Sequence, residues 1–198
     1  MPYNDSMTTL VAERPLTADE FLELPDDPLG RRMELCDGRI AFMSQPGERH
    51  ADVALRILLA LHPFVSMHRL GKVRNDVGFV LRWNPDRVVA PDVGFIASER
   101  LPSGRDTLRH FPAAPTLAVE IVSPNDVADT VIAKVREYLA AGSARVWVVD
   151  PRRRTVTLYR HDAEPRTLAG NSTLTSDDAG FAADGFELTL DAIFASDE

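Results

Sequence analysis

The sequence predicts an α/β fold: a mixed β-sheet core flanked by helices, preceded by an N-terminal helix and β-hairpin. Three observations point there. Segments 49–65 and 129–141 carry apolar residues at helical spacing. Short β-rich runs separated by turn residues fill much of the remainder. A strand, a helix and a second strand follow one another over 116–149, the order of a right-handed crossover in a locally parallel sheet. With 198 residues, 44% of them hydrophobic and 26% charged, the chain lies in the globular range and can bury a core. One domain is expected over 16–194, with tails at 1–15 and 195–198.

The elements follow in order. Thr17 and Glu20 form a capping-box pair, which opens a short helix running to about Leu24, where Pro25 and Pro28 stop it. Asp37-Gly38, a dipeptide tolerant of positive φ, joins strand-like runs at 32–36 and 39–43 into a hairpin whose first strand carries Glu34. Val53, Ile57, Leu58, Leu61 and Val65 give the next helix one apolar face, with His50 at its start. Runs 73–83 and 88–96 read as two strands of a hairpin around Asn84-Pro85-Asp86. Residues 116–122 read as a central strand ended by Ser123-Pro124. Ile132, Val135, Tyr138 and Leu139 mark a second amphipathic helix, ended at Gly142, where a left-handed residue is expected. Strands follow at 145–149 and 155–160, then a turn-rich stretch at 161–185 and a closing strand or helix at 186–194. Trp83 and Trp147 are expected in the core or on a sheet face. The Arg152-Arg153-Arg154 run reads as an exposed turn.

Composition narrows the function. The single cysteine, Cys36, rules out an internal disulfide and a thiolate zinc site. No apolar run reaches the roughly 18–20 residues of a membrane span, and a cytoplasmic location is expected. The net charge of −8 and pI near 5.1 argue against a protein that coats nucleic acid, so non-specific affinity for it should be modest.

Two acids and one lysine stand out. Along 116–122, Leu117, Val119 and Ile121 share one face, whereas Glu120 interrupts the apolar pattern of the other. Asp92 repeats the interruption in the apolar run 88–93. Burying an unpaired carboxylate costs several kcal/mol, and two carboxylates close together repel, which a hard divalent cation relieves. The alternative is that both acids lie at strand ends facing water. Lysine occurs only at Lys72 and Lys134, arginine having taken almost every other cationic position. A lysine is a compact point charge able to direct protons at a water or a phosphate oxygen, although the default for a lysine taken in isolation is a solvated residue on an exposed helix face.

Pro91-Asp92 followed by Glu120-Ile121-Val122 resembles the signature of the PD-(D/E)XK nucleases, except that Val122 stands where their lysine normally does. Glu120-Ile121-Val122-Ser123-Pro124, with Lys134 moved to the following helix, is similar to the Uma family of bacterial endonucleases within that superfamily. So are Tyr138, Ala140-Ala141-Gly142, Trp147-Val148-Val149-Asp150-Pro151, Met33-Glu34-Leu35-Cys36-Asp37-Gly38 and Met43-Ser44. The resemblance implies a restriction-endonuclease-like fold and metal-dependent hydrolysis of phosphodiester bonds, with DNA as the substrate. It implies that Asp92, Glu120 and the backbone carbonyl of Ile121 hold Mg²⁺ (or Mn²⁺), that Lys134 orients water or stabilises phosphate charge, and that Glu34 completes the acidic cluster. His50, Ser44 and Gln45 become candidates for substrate or water contact, although a lone histidine is more often structural or exposed and the other two are alternatively turn residues. A homodimer is expected, since nucleases that cut both strands commonly pair their sites. The rival readings are an inert binding module of the same fold and a metal-dependent hydrolase of small phosphoesters or nucleotides.

Overall fold

The computed structural model describes residues 14–43, 45–104, 107–124 and 126–195. The tails expected at 1–15 and 195–198 fall largely outside these residues, as does Ser44. The elements are α1 (Ala18–Leu22), β1 (Met33–Cys36), β2 (Arg39–Phe42), α2 (Glu48–Met67), β3 (Gly71–Arg74), β4 (Phe79–Arg82), β5 (Arg87–Val89), β6 (Val93–Ala97), β7 (Leu117–Ile121), α3 (Ala128–Ala140), β8 (Arg145–Asp150), β9 (Thr155–Arg160), β10 (Ala163–Leu168), β11 (Thr173–Thr175), α4 (Ser176–Ala179), β12 (Glu187–Thr189) and α5 (Leu190–Phe194). Among the described residues, no helix is long and apolar enough to cross a membrane.

Six strands form the main sheet in the order β10-β9-β8-β7-β6-β3, and four form a second sheet in the order β2-β1-β5-β4. β7 and β8 are parallel, joined through α3, with Val119 paired to Trp147 and Glu120 to Val148. The alternation along β7 decides what each face meets. Leu117, Val119 and Ile121 share a core with Val53, Ile57, Leu61 and Val65 of α2 and with Trp147. Ala118 faces the other way, into a cluster with Val135 and Tyr138 of α3. The sheet is thus covered by a helix on each face, and burial of the four α2 side chains contributes roughly 2 kcal/mol each. Glu120, on the Ala118 side of the strand, is delivered toward α3.

α1 begins with both halves of the expected capping box, Thr17 accepting from the Glu20 N–H and Glu20 accepting from the Thr17 N–H, but ends at Leu22 rather than Leu24. The β1–β2 hairpin forms in register around Asp37 and Gly38, both at positive φ. Gly142 follows α3 at φ +95°, as its position requires.

Three expectations are corrected. Runs 73–83 and 88–96 are not two continuous strands: each divides, so that β3 and β6 pair in the main sheet while β4 and β5 pair in the smaller one. The break in the second run falls at Pro91, which has no N–H to give a ladder. The turn-rich stretch at 161–185 contains β10, β11 and α4. β10 is an edge strand exposed at five of six positions, and its polar sequence has no apolar alternation to reveal it. Trp83 is more than half exposed beside the β4–β5 turn, whereas Trp147 is fully buried.

Candidate functional site

Asp92 occupies the point where the chain leaves one sheet for the other. Residues beside it there cannot complete a regular ladder, so backbone groups are free to be satisfied by side chains. Asp92 Oδ2 accepts a 2.8 Å hydrogen bond from the Ile121 N–H at the end of β7, which ties the two candidate metal-binding segments together. Its outer approaches are cationic: Arg32 Nη1 lies 3.3 Å from Oδ1 and His50 Nε2 3.3 Å from Oδ2. Arg32 also pairs with Asp76 at 2.5 Å. His50 stands in the first turn of α2, where it also reaches the Ile121 carbonyl.

Glu120 and Lys134 meet across the other side of the sheet. Lys134 Nζ donates to Glu34 Oε1 at 2.8 Å and to Glu120 Oε2 at 3.3 Å. Tyr138, one helical turn beyond Lys134 on the same face of α3, donates its hydroxyl to Glu120 Oε1 at 2.6 Å. Glu34 is only 3% exposed, so the lysine is the cation that permits its burial. Asp92 and Lys134 are buried as well. Arg32, His50, Asp92, Glu120, Ile121 and Lys134 line one cleft of about 70 Å³, with Met43, Pro46, Val122, Ser123, Asp126, Thr130 and Val131 completing its wall.

The charges shape one another. Burial pushes the Glu120 carboxyl up and Lys134 opposes this, but repulsion from Asp92 adds to it, leaving Glu120 at about 7. Burial would lower Lys134, yet Glu120 and Glu34 hold its pKa above the ordinary value, so it stays protonated. Burial would raise Asp92, but hydrogen bonding and charge from His50 hold it below the usual carboxylate value. For His50, burial acts downward and is outweighed by its contact with Asp92, so its pKa is raised.

Glu34, Asp92, Glu120, Lys134 and His50, five of the residues singled out in the sequence, are therefore brought together by β1, β7, α2, α3 and the segment before β6. Gln45 is not: its amide turns outward to the Gly30 and Leu29 carbonyls. Two groups escaped the sequence reading of the site: Arg32 on the cleft wall and Tyr138 buried behind Glu120. Arg32 gave no signal beyond being one of twenty arginines. Tyr138 was read as a packing residue, although its place four residues after Lys134 on a helix was a usable hint.

Among the described residues, no three His, Cys, Asp or Glu side chains are gathered as a ready-made metal cage. The donor chemistry nonetheless fits a hard cation: Asp92, Glu120 and the Ile121 carbonyl are all oxygen donors bordering the cleft. The 3.3 Å contacts to Asp92 and Glu120 are long ones, and each carboxylate oxygen has two lone-pair sites, so accepting capacity remains. The upward push of Asp92 on Glu120 is the repulsion a divalent ion would relieve.

A crystal structure of a putative nuclease belonging to DUF820 from Anabaena variabilis is similar to this fold, with a TM-score of 0.75 and 22% sequence identity over 91% of this chain and 98% of that one. None of the curated proteins matches the chain. The Uma2 family model, described as putative restriction endonuclease, matches residues 18–190. That match spans the main sheet, both long helices and every cleft residue, and the chain belongs to the Uma2 family.

Proposed function

We propose that this chain is a metal-dependent endonuclease that hydrolyses phosphodiester bonds in DNA, with Glu34, Asp92, Glu120 and Lys134 as its working residues. The observation that carries this reading is their convergence: Asp92, Glu120 and the buried Lys134, drawn from distant segments, border a single cleft, and the buried Glu34 joins them behind it through its 2.8 Å contact with Lys134. Asp92, Glu120 and the Ile121 carbonyl would hold Mg²⁺ or Mn²⁺, with Glu34 as an outer ligand or acceptor. The ion would supply Lewis-acid stabilisation of the phosphate.

The protein's own groups have distinct tasks. Lys134, kept protonated by two carboxylates, directs N–H donors toward an attacking water or a phosphate oxygen. Tyr138 holds Glu120 in place by its short hydrogen bond. His50 and Arg32 keep Asp92 ionised and place positive charge at the cleft wall, where a phosphate would approach.

The test is Mg²⁺- or Mn²⁺-dependent cleavage of plasmid DNA by wild type, Asp92→Asn, Glu120→Gln and Lys134→Arg, with circular dichroism to verify folding. Lys134→Arg retains the buried charge but replaces the compact donor, so it separates chemistry from stability. Loss of cleavage by about 100-fold or more is expected in each variant. Equal cleavage by wild type and all three variants would remove the assigned site. The net charge of −8 favours small substrates over a long polyanion, so nucleotides and small phosphodiesters belong in the same assay. Turnover of these without DNA cleavage would reassign the substrate.

A further inference from the structure

Asp76 stands beside the cleft with no part in the proposed hydrolysis. The chain crosses between the two sheets at 75–78, from β3 to β4, and again at 90–92, from β5 to β6. β3 and β6 pair antiparallel with Arg74 opposite Gly94, and the same register carried two residues further sets Asp76 of one crossing opposite Asp92 of the other. Like charges so placed repel, and the Arg32 guanidinium bridges them. The bridge is uneven: Arg32 Nη1 lies 2.5 Å from Asp76 Oδ1 and 3.3 Å from Asp92 Oδ1. Asp27, Asp86, Asp126 and Asp150 each accept hydrogen bonds from backbone N–H groups close by in sequence, whereas Arg32 is the one side-chain partner of Asp76 among the described residues.

We propose that Asp76 is a positioning residue of the candidate metal site: it draws the Arg32 guanidinium off Asp92 and so leaves the Asp92 carboxylate open to a divalent cation. The proposal rests on the reading of Asp92 as a metal-binding residue. The Asp76 side chain is 55% exposed, and an exposed ion pair adds little to stability, so the effect of the pair falls on Asp92 rather than on the fold. A guanidinium seated fully on Asp92 would place a fixed positive charge and N–H donors on the oxygens that a cation needs. Asp76 competes for that guanidinium at the shorter distance. Without it, Arg32 has Asp92 alone to pair with and closes onto it.

Calorimetric titration of the full chain with Mn²⁺, for wild type, Asp76→Asn, Arg32→Gln and the double variant, tests it. Asp76 sits at φ +50°, a conformation that asparagine tolerates, so Asp76→Asn removes the charge without backbone strain and should leave the melting temperature within about 4 °C of wild type. Its Mn²⁺ affinity should fall about tenfold, the size of coupling expected within one ion-pair network. Arg32→Gln should bind Mn²⁺ at least as tightly as wild type, and adding Asp76→Asn to it should change the affinity by less than about twofold. Equal weakening by Asp76→Asn in both backgrounds would mean that the carboxylate acts through its own charge and not through Arg32, and overturns the proposal. So does an Asp76→Asn variant that binds Mn²⁺ as wild type does. A wild type that binds no Mn²⁺ removes the metal site itself, and the positioning role with it.

Discussion

The sharpest stability test of the site is Lys134→Met. The substitution retains the aliphatic stem and removes the cation that accompanies Glu34, which is 3% exposed, and Glu120. Removing one partner of a buried ion pair leaves an uncompensated buried charge, at a cost of about 3–5 kcal/mol. A chain of this size loses roughly 2–4 °C of Tm per kcal/mol, so the variant should melt about 6–20 °C lower. Adding Glu34→Gln neutralises the stranded carboxylate, and the double variant should recover about 2 kcal/mol relative to Lys134→Met alone. Urea denaturation of wild type, both single variants and the double, followed by circular dichroism without added metal, completes the cycle. A Lys134→Met loss below about 1 kcal/mol, or single effects that add to within about 0.5 kcal/mol, would refute the claim that the lysine sustains burial of the acidic cluster.

Two further outcomes are expected. Tyr138→Phe deletes the 2.6 Å hydrogen bond to Glu120 without emptying the core, so stability should fall by only about 1 kcal/mol, while the metal-dependent cleavage proposed above should drop about tenfold and require more Mg²⁺. An unchanged metal requirement would assign the hydroxyl a purely structural role. His110 stacks on Phe21 at 5.6 Å, its Nε2 is buried without a hydrogen-bond partner among the described residues, and burial holds its pKa below the ordinary value while Asp19 opposes this. A histidine depressed in the folded state contributes stability that is complete above about pH 6.5 and is lost as pH falls from there through the folded value. Denaturation at pH 8 and pH 5 should therefore show wild type losing more stability than His110→Phe, and parallel losses would contradict the assignment.

The helices and the central strands were legible because their signals are local. α2 and α3 bury one side of a 3.6-residue period, and β7 alternates apolar contacts between two helices, with Glu120 as its one interruption. The division of β3 from β4 and of β5 from β6 was not legible, because both halves of each run have the same β-rich composition and only pairing decides which sheet receives them. β10 escaped for the opposite reason: an exposed edge strand has no buried face to impose a pattern. Trp83 shows the limit of reading residue type alone, since a tryptophan in an apolar run can still point to solvent beside a turn. Asp92 and Glu120 were conspicuous as acids among apolar neighbours, whereas Arg32 was one arginine among many.

From residue order alone came the element types, the family likeness and the list of suspect acids, since propensity and periodicity act between neighbours along the chain. The meeting of Lys134 with Glu34, 100 positions away, belongs to the tertiary structure. So do the tethering of Asp92 to the end of β7 and the turning away of Gln45. Such distances depend on sheet register and on which helix covers which face, and these are settled by packing the whole chain at once rather than by any segment within it.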